Sequence, residues 1–165
     1  GRAEWHESLV DMRDVIEDTI AATSQLFKER NTRLVRRLPH AVPKVVADLD
    51  RIVQVVLNLL SNAVKFVEPG RGEVEIALAE EQGCLRVDVR DNGPGIRVED
   101  QELIFDKFRQ AGDTLTGKPQ GSGLGLHISR RIVEHFGGRM WVSSRAGEGA
   151  CFSFTLPLAR EAALT

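Results

Sequence analysis

Residues 48–66 read Asp48-Leu-Asp-Arg-Ile-Val-Gln-Val-Val-Leu-Asn58-Leu-Leu-Ser-Asn62-Ala-Val-Lys65-Phe66. Ile52, Val55, Val56, Leu59, Leu60 and Ala63 recur at helical spacing, which predicts an amphipathic helix from near Asp48 or Asp50 to about Phe66. Asn58, Asn62 and Lys65 fall at i, i+4 and i+7, on a face roughly opposite that stripe. Two amides and an ammonium therefore converge. An amide oxygen is a hard donor suited to magnesium, which takes few protein ligands beside substrate phosphates, and Lys65 offers those phosphates a point charge. The plain alternative is a solvated polar face, which any surface helix needs.

Two glycine-rich segments lie downstream. Asp91-Asn92-Gly93-Pro94-Gly95-Ile96 places a carboxylate at the end of a strand, behind a turn whose glycines let the backbone approach a ligand closely. A buried, acceptor-only carboxylate suits an exocyclic amine. Adenine carries one at N6 where guanine carries an acceptor, so a hydrogen bond of about 1.5–3 kcal/mol would separate the two bases. Gly121-Ser122-Gly123-Leu124-Gly125-Leu126 opens a further helix, whose free amides and dipole form an anion site suited to phosphate. It is not the dinucleotide fingerprint, because Leu126 stands where a third glycine is needed and a loop, not a strand, precedes it. Gly112-Asp-Thr-Leu-Thr-Gly117-Lys118 imitates a P-loop but ends in Pro119, which has no hydroxyl for magnesium. Lys118 remains available to phosphate from the loop.

The flanking elements are regular. Residues 12–31 predict an amphipathic helix with Asp11 as N-cap, after an extended apolar segment from Trp5 to Val10. Residues 33–38 and 45–47 read as strands, residues 73–80 and 85–90 as a hairpin turning at Gln82-Gly83, and residues 139–144 and 150–158 as a closing strand pair. A third long helix is expected from about Leu124 to Phe136, with Trp141 in a strand core beyond it. Between Asp91 and Ser122 the pattern dissolves around Leu103-Ile104-Phe105 and Phe108, which marks a functional loop or lid. His6-Glu7 lacks the residues that follow a phosphoacceptor histidine and sits in an extended segment. His127 and His135 have no third ligand in view.

Composition bounds these readings. The 165 residues match one domain, and 42% hydrophobic with 28% charged residues exclude disordered and collagen-like classes. Twenty-two Lys+Arg against 24 Asp+Glu give −2, so no general cationic field attracts nucleic acid or an anionic membrane. Cys84 and Cys151 are too few for a disulfide framework and read as buried free thiols. Neither a membrane span nor a signal peptide is apparent, which predicts a cytoplasmic chain, and the opening Gly1-Arg-Ala-Glu-Trp5 reads as a cut from a longer protein.

In this order, the segments resemble the catalytic ATP-binding domain of two-component sensor histidine kinases, within the gyrase, heat-shock chaperone, histidine kinase and MutL (GHKL) superfamily. Asn58-Leu-Leu-Ser-Asn62-Ala-Val-Lys65-Phe66 looks like its N box, Asp91-x-Gly93-x-Gly95 its first glycine box and Ile104-Phe105-Asp-Lys-Phe108 its F box. Gly121-x-Gly123-x-Gly125-Leu126 resembles the second glycine box, and Gly147-Glu-Gly149-Ala-Cys-Phe-Ser-Phe-Thr-Leu-Pro157 the last strand. The resemblance covers nearly the whole chain. It implies an α+β two-layer sandwich, the Bergerat or GHKL ATP-binding fold. A mixed, mostly antiparallel sheet of about five strands would be covered on one face by three helices. Residues 1–165 would form one domain, with 1–10 leaving an upstream helical domain, 97–121 an ATP lid and 159–165 a tail.

The resemblance also implies roles. Asp91 would meet the adenine amine, backed by Gly93, Gly95 and Ile96; Asn62 would hold Mg2+; Lys65 would meet phosphate and Phe66 the nucleotide; Asn58 and Lys65 would assist transfer. Gly121, Ser122, Gly123, Leu124, Gly125 and Leu126 would cradle the phosphates, with Phe105 and Phe108 anchoring the lid. Relatives that hydrolyse ATP carry a glutamate where this chain has Asn58. An amide is no general base, so transfer is favoured over hydrolysis. Ala150 stands where many relatives have Ser or Thr, and Gln110 where some have Arg, which leaves the lid's cation to Arg109, Lys107 or Lys118. The expected activity is donation of the ATP γ-phosphoryl to a histidine on a separate dimerisation and phosphoacceptor domain, feeding a response regulator, with the isolated domain monomeric and clear of nucleic acid and membrane. Alternatives are a nucleotide-sensing or partner-docking module of the same fold, and a self-sufficient ATPase clamp.

Overall fold

Glu7–Val10 forms a short strand, β1, and the Asp11 carboxylate then accepts the Arg13 amide at 2.9 Å to cap α1 (Met12–Glu29). Strands β2 (Arg33–Arg37) and β3 (Val45–Asp48) lead into α2 (Leu49–Phe66), where Asp48 is the N-cap and accepts the Arg51 amide at 3.3 Å. β4 (Glu73–Glu81) and β5 (Cys84–Asp91) make the hairpin that strict alternation predicts. After β5 come a one-turn helix, α3 (Val98–Gln101), and a 3-10 turn (Leu103–Phe105). Helix α4 (Ser122–His135) and strands β6 (Met140–Ser144) and β7 (Ala150–Pro157) complete the order. The structure, a computed structural model, describes residues 4–106, 122–145 and 147–159.

The main sheet runs β2-β4-β5-β7-β6, with β2 parallel to β4 and every other pair antiparallel. The parallel pair needs a crossover, which β3 and α2 supply. Val74, Ile76, Leu78, Leu85, Val87, Val89, Phe152, Phe154 and Leu156 bury one sheet face in a core shared with α1, α2 and α4. The result is the expected mixed five-stranded α+β sandwich, with three long helices in the helical layer. Among the described residues, no helix is long and apolar enough to cross a membrane.

Several local expectations change. β1 pairs antiparallel with β3 as a separate two-stranded sheet, tied to the main one by a bridge between Val45 and Leu158. That pairing joins segments far apart in the chain, so no local pattern announces it. Helix α3 lies where the sequence reads as irregular, because one turn is too short for an apolar period. Helix α4 begins at Ser122 rather than Leu124 and ends at His135 rather than Phe136. Trp141 is half-buried, not in the core: Met140 turns inward, and the Trp141 ring lies beneath the Arg86 and Arg139 guanidinium groups at 5.1 and 5.3 Å. Cys151 is buried and Cys84 half-buried, both as free thiols.

Candidate functional site

Helix α2 is the wall on which the site is built. Its apolar stripe, Ile52 to Ala63, is fully buried, which fixes the azimuth of the opposite face. On that face the three singled-out side chains differ sharply in environment. Lys65 is exposed, Asn58 half-buried, and Asn62 is 1% exposed. Among the described residues, neither Nδ2 nor Oδ1 of Asn62 has a hydrogen-bond partner. A buried amide left unpaired costs about 1–3 kcal/mol, which a fold tolerates where a ligand completes the bonding. Among the described residues no three His, Cys, Asp or Glu side chains converge on one point. The oxygen that this wall offers a hard cation is the Asn62 amide, and its burial without a partner fits magnesium with its retained waters.

Asn58 is already engaged. Its Nδ2 donates to the Gly125 carbonyl at 3.3 Å and to Ser129 Oγ at 3.0 Å, both on α4. A Cβ on Gly125 would lie 2.9 Å from that nitrogen, so this glycine serves helix approach. The sequence reading gave it to phosphate amides alone. Helix α4 starts at Ser122, which puts Ser122, Gly123 and Leu124 in the first turn, where helix amides are free of intrahelical partners. Leu126 is buried beneath it.

At the other end of the wall, Asp91 closes β5 and is 4% exposed. Burial pushes its carboxyl above the usual range, while the Gly93 amide, donating at 2.9 Å, and the Ala150 amide pull it back. Gly93 abuts the end of α2: a Cβ there would lie 2.7 Å from the Phe66 carbonyl. Phe66 itself is half-buried and Ile96 buried. One helix thus touches the second glycine-rich segment at Asn58 and the first at Phe66, eight residues or about 12 Å apart.

Phe105, expected to anchor a lid, is fixed by aromatic packing. Phe105 is buried edge-on to Phe152, centroids 6.3 Å apart, with the Arg130 guanidinium 4.8 Å from its ring centre. The rest of the segment expected to form a lid, with Lys107, Phe108, Arg109, Gln110, Lys118 and Gly121, lies outside the described residues.

Residues that sequence reasoning passed over brace the Asp91 turn. Asn92 Oδ1 accepts the Glu73 amide at 2.8 Å and its Nδ2 donates to the Arg71 carbonyl at 3.0 Å. Gln101 and Ser144 grip the same turn from α3 and β6. Asn92 was visible as the variable position between Asp91 and Gly93; Gln101 and Ser144 carry no local signal, because their partners lie on other elements.

A family model described as histidine kinase-, DNA gyrase B-, and HSP90-like ATPase matches residues 47–160. The adaptive-response sensory kinase SasA of Parasynechococcus marenigrum (strain WH8102) is 42% identical over 152 residues, covering 90% of this chain and 39% of that protein. The chain therefore spans about two fifths of the length of that relative. Among solved structures, the nucleotide-free catalytic domain of histidine kinase ThkA superposes with a TM-score of 0.81 at 31% identity, covering 96% of this chain and 99% of that one. Full-length ShkA in complex with AMPPNP gives 0.82 at 29% identity, covering 96% of this chain and 32% of that one.

Proposed function

The chain belongs to the histidine kinase-, DNA gyrase B- and HSP90-like ATPases, and we propose that it is the catalytic part of a sensor histidine kinase that binds ATP with magnesium and donates the γ-phosphoryl to a histidine on a separate dimerisation and phosphoacceptor domain. A response regulator would receive the group in turn.

The observation that carries transfer over hydrolysis is the state of Asn58. An amide has no basic lone pair to take a proton from water, and this one's nitrogen already donates to Gly125 and Ser129. Asn58 thus offers no base to activate a water, which favours keeping the γ-phosphoryl for a positioned nucleophile. Asp91 reads the adenine amine in this scheme, Phe66 lies against the nucleotide, and Lys65 and the first turn of α4 bear phosphate charge. Asn62 would hold magnesium through Oδ1; bound there, the ion neutralises charge on the phosphate oxygens. The imidazole nitrogen of the acceptor then bonds to the γ-phosphorus as the bond to the β–γ bridging oxygen breaks, and ADP leaves with that electron pair. These residues position and neutralise; the nucleophile comes from the partner domain.

Mixing the chain with a separately made acceptor domain and γ-labelled ATP tests this. Acid-labile label on the acceptor histidine is expected. No labelled histidine under any condition would favour a nucleotide-sensing module, and fast, steady hydrolysis by the chain alone would favour an ATPase clamp.

A further inference from the structure

Three strands set the residues around Asp91 in one row. Asp91 on β5 is the Cα partner of Ala150 on β7, and Ala150 is the partner of Ser144 on β6. The Ser144 hydroxyl uses both of its capacities beside that row: it accepts the Ile96 amide at 2.7 Å and donates to the Gly149 carbonyl at 2.7 Å. Ile96 ends the turn that starts at Asp91, and Gly149 precedes the residue whose amide faces the Asp91 carboxyl. One hydroxyl therefore ties both flanks of the carboxylate together.

The surroundings leave this hydroxyl little freedom. Gly95 has φ +83°, and a Cβ there would come 2.3 Å from the Arg145 carbonyl and 3.0 Å from Ser144 Oγ. Gly149 has φ +78°, and a Cβ there would lie 2.0 Å from the Asp91 carbonyl. The Gly147 amide donates to the Pro94 carbonyl at 2.7 Å, and Gln101 Nε2 donates to the Ile96 and Ser144 carbonyls at 2.9 and 3.1 Å. The turn and the β6–β7 connection are thus clasped, with Ser144 at the centre.

We propose that Ser144 is a positioning residue for base selection: by holding the 93–96 turn against Gly149 it fixes the direction in which the Asp91 carboxylate is presented. It acts through Asp91 and touches no nucleotide itself. The proposal rests on the reading of Asp91 as the acceptor of the adenine amine. Loosening the clasp then weakens recognition of that amine and leaves the phosphate end, on α4 and Lys65, as it was.

The test compares the affinity of the chain for ATP and for purine riboside triphosphate, which lacks the exocyclic amine, in the presence of magnesium. Ser144→Ala should lose about 3- to 10-fold in ATP affinity, the size of one neutral hydrogen bond, and less than about twofold for the analogue. Ser144→Thr, which keeps the hydroxyl, should restore ATP affinity. Gln101→Ala, which releases the same turn from α3, should show the same selective loss and serves where Ser144→Ala does not fold. Equal loss for both nucleotides, or unchanged ATP affinity in Ser144→Ala and Gln101→Ala while Asp91→Asn loses it, overturns the proposal. Unchanged ATP affinity in Asp91→Asn itself overturns the underlying reading of Asp91, and the proposal with it.

Discussion

Asn62 keeps both polar atoms of its amide buried and unpaired, at a cost to the nucleotide-free fold of about 1–3 kcal/mol. An apolar side chain of similar size removes that cost together with the oxygen proposed to hold the metal. Asn62→Leu should therefore raise the melting midpoint by roughly 2–12 °C while abolishing magnesium-dependent ATP binding, a trade of function for stability that calorimetric melting and a binding titration check together. Asp91 obeys the same logic through its charge. Burial raises its native pKa above the unfolded one, so the native state binds the extra proton. Its contribution to stability is greatest below the ordinary carboxylate range and is lost as pH rises through the raised native value. Melting midpoints across pH should show Asp91→Asn gaining on the parent as pH rises. A variant that loses ground to the parent as pH rises contradicts this reading.

Helix α2 depends on its two ends. Asp48 caps the start, and at the other end Arg30, the residue that follows α1, donates to three carbonyls: Nε to Val64 at 3.0 Å, and Nη2 to Lys65 at 3.2 Å and Val67 at 3.1 Å. These carbonyls have no intrahelical partners of their own. Arg30→Ala should cost about 1–3 kcal/mol in denaturant unfolding and weaken ATP binding, since Lys65 and Phe66 ride on the freed turn; Arg30→Lys, with one point charge for a fork, should recover part of the stability. Elements with a long local period were legible: the apolar stripe of α2, the Asp11 cap and the alternation in β4 and β5 all follow from nearest neighbours in the chain, while the start of α2 stayed open between Asp48 and Asp50. The β1–β3 sheet, the single turn of α3 and the clasp of Ser144 were not, because each arises from pairing across 35 or more residues or from an element shorter than its own period. Side chains can thus be proposed as facing a ligand from their type and spacing, while those that brace them carry no local signal.

Across the whole molecule, the first described residues join the two helices that frame the site. The Trp5 ring stacks on His135 at 3.8 Å and meets Phe136 edge-on at 5.4 Å, both at the end of α4. Arg51, in the first turns of α2, lies 4.2 Å above the same ring and donates to the Glu4 carbonyl at 3.1 Å, and the His6 amide donates to Asp48 at 2.9 Å. Trp5→Ala should lower stability by about 1–2 kcal/mol, through lost stacking and the cation–π contact, as read by the denaturant midpoint at unchanged slope. A loss below about 0.5 kcal/mol would mean that the segment merely rests on the surface.

The central claim, that a buried carboxylate at one end of α2 and a buried amide one turn before that end together hold an adenine nucleotide with magnesium, is tested most directly by calorimetric titration of ATP into the chain and into Asp91→Asn and Asn62→Ala. The parent should bind in a magnesium-dependent way, and each variant should lose on the order of 10- to 100-fold in affinity. Unchanged affinity in both variants would contradict the account.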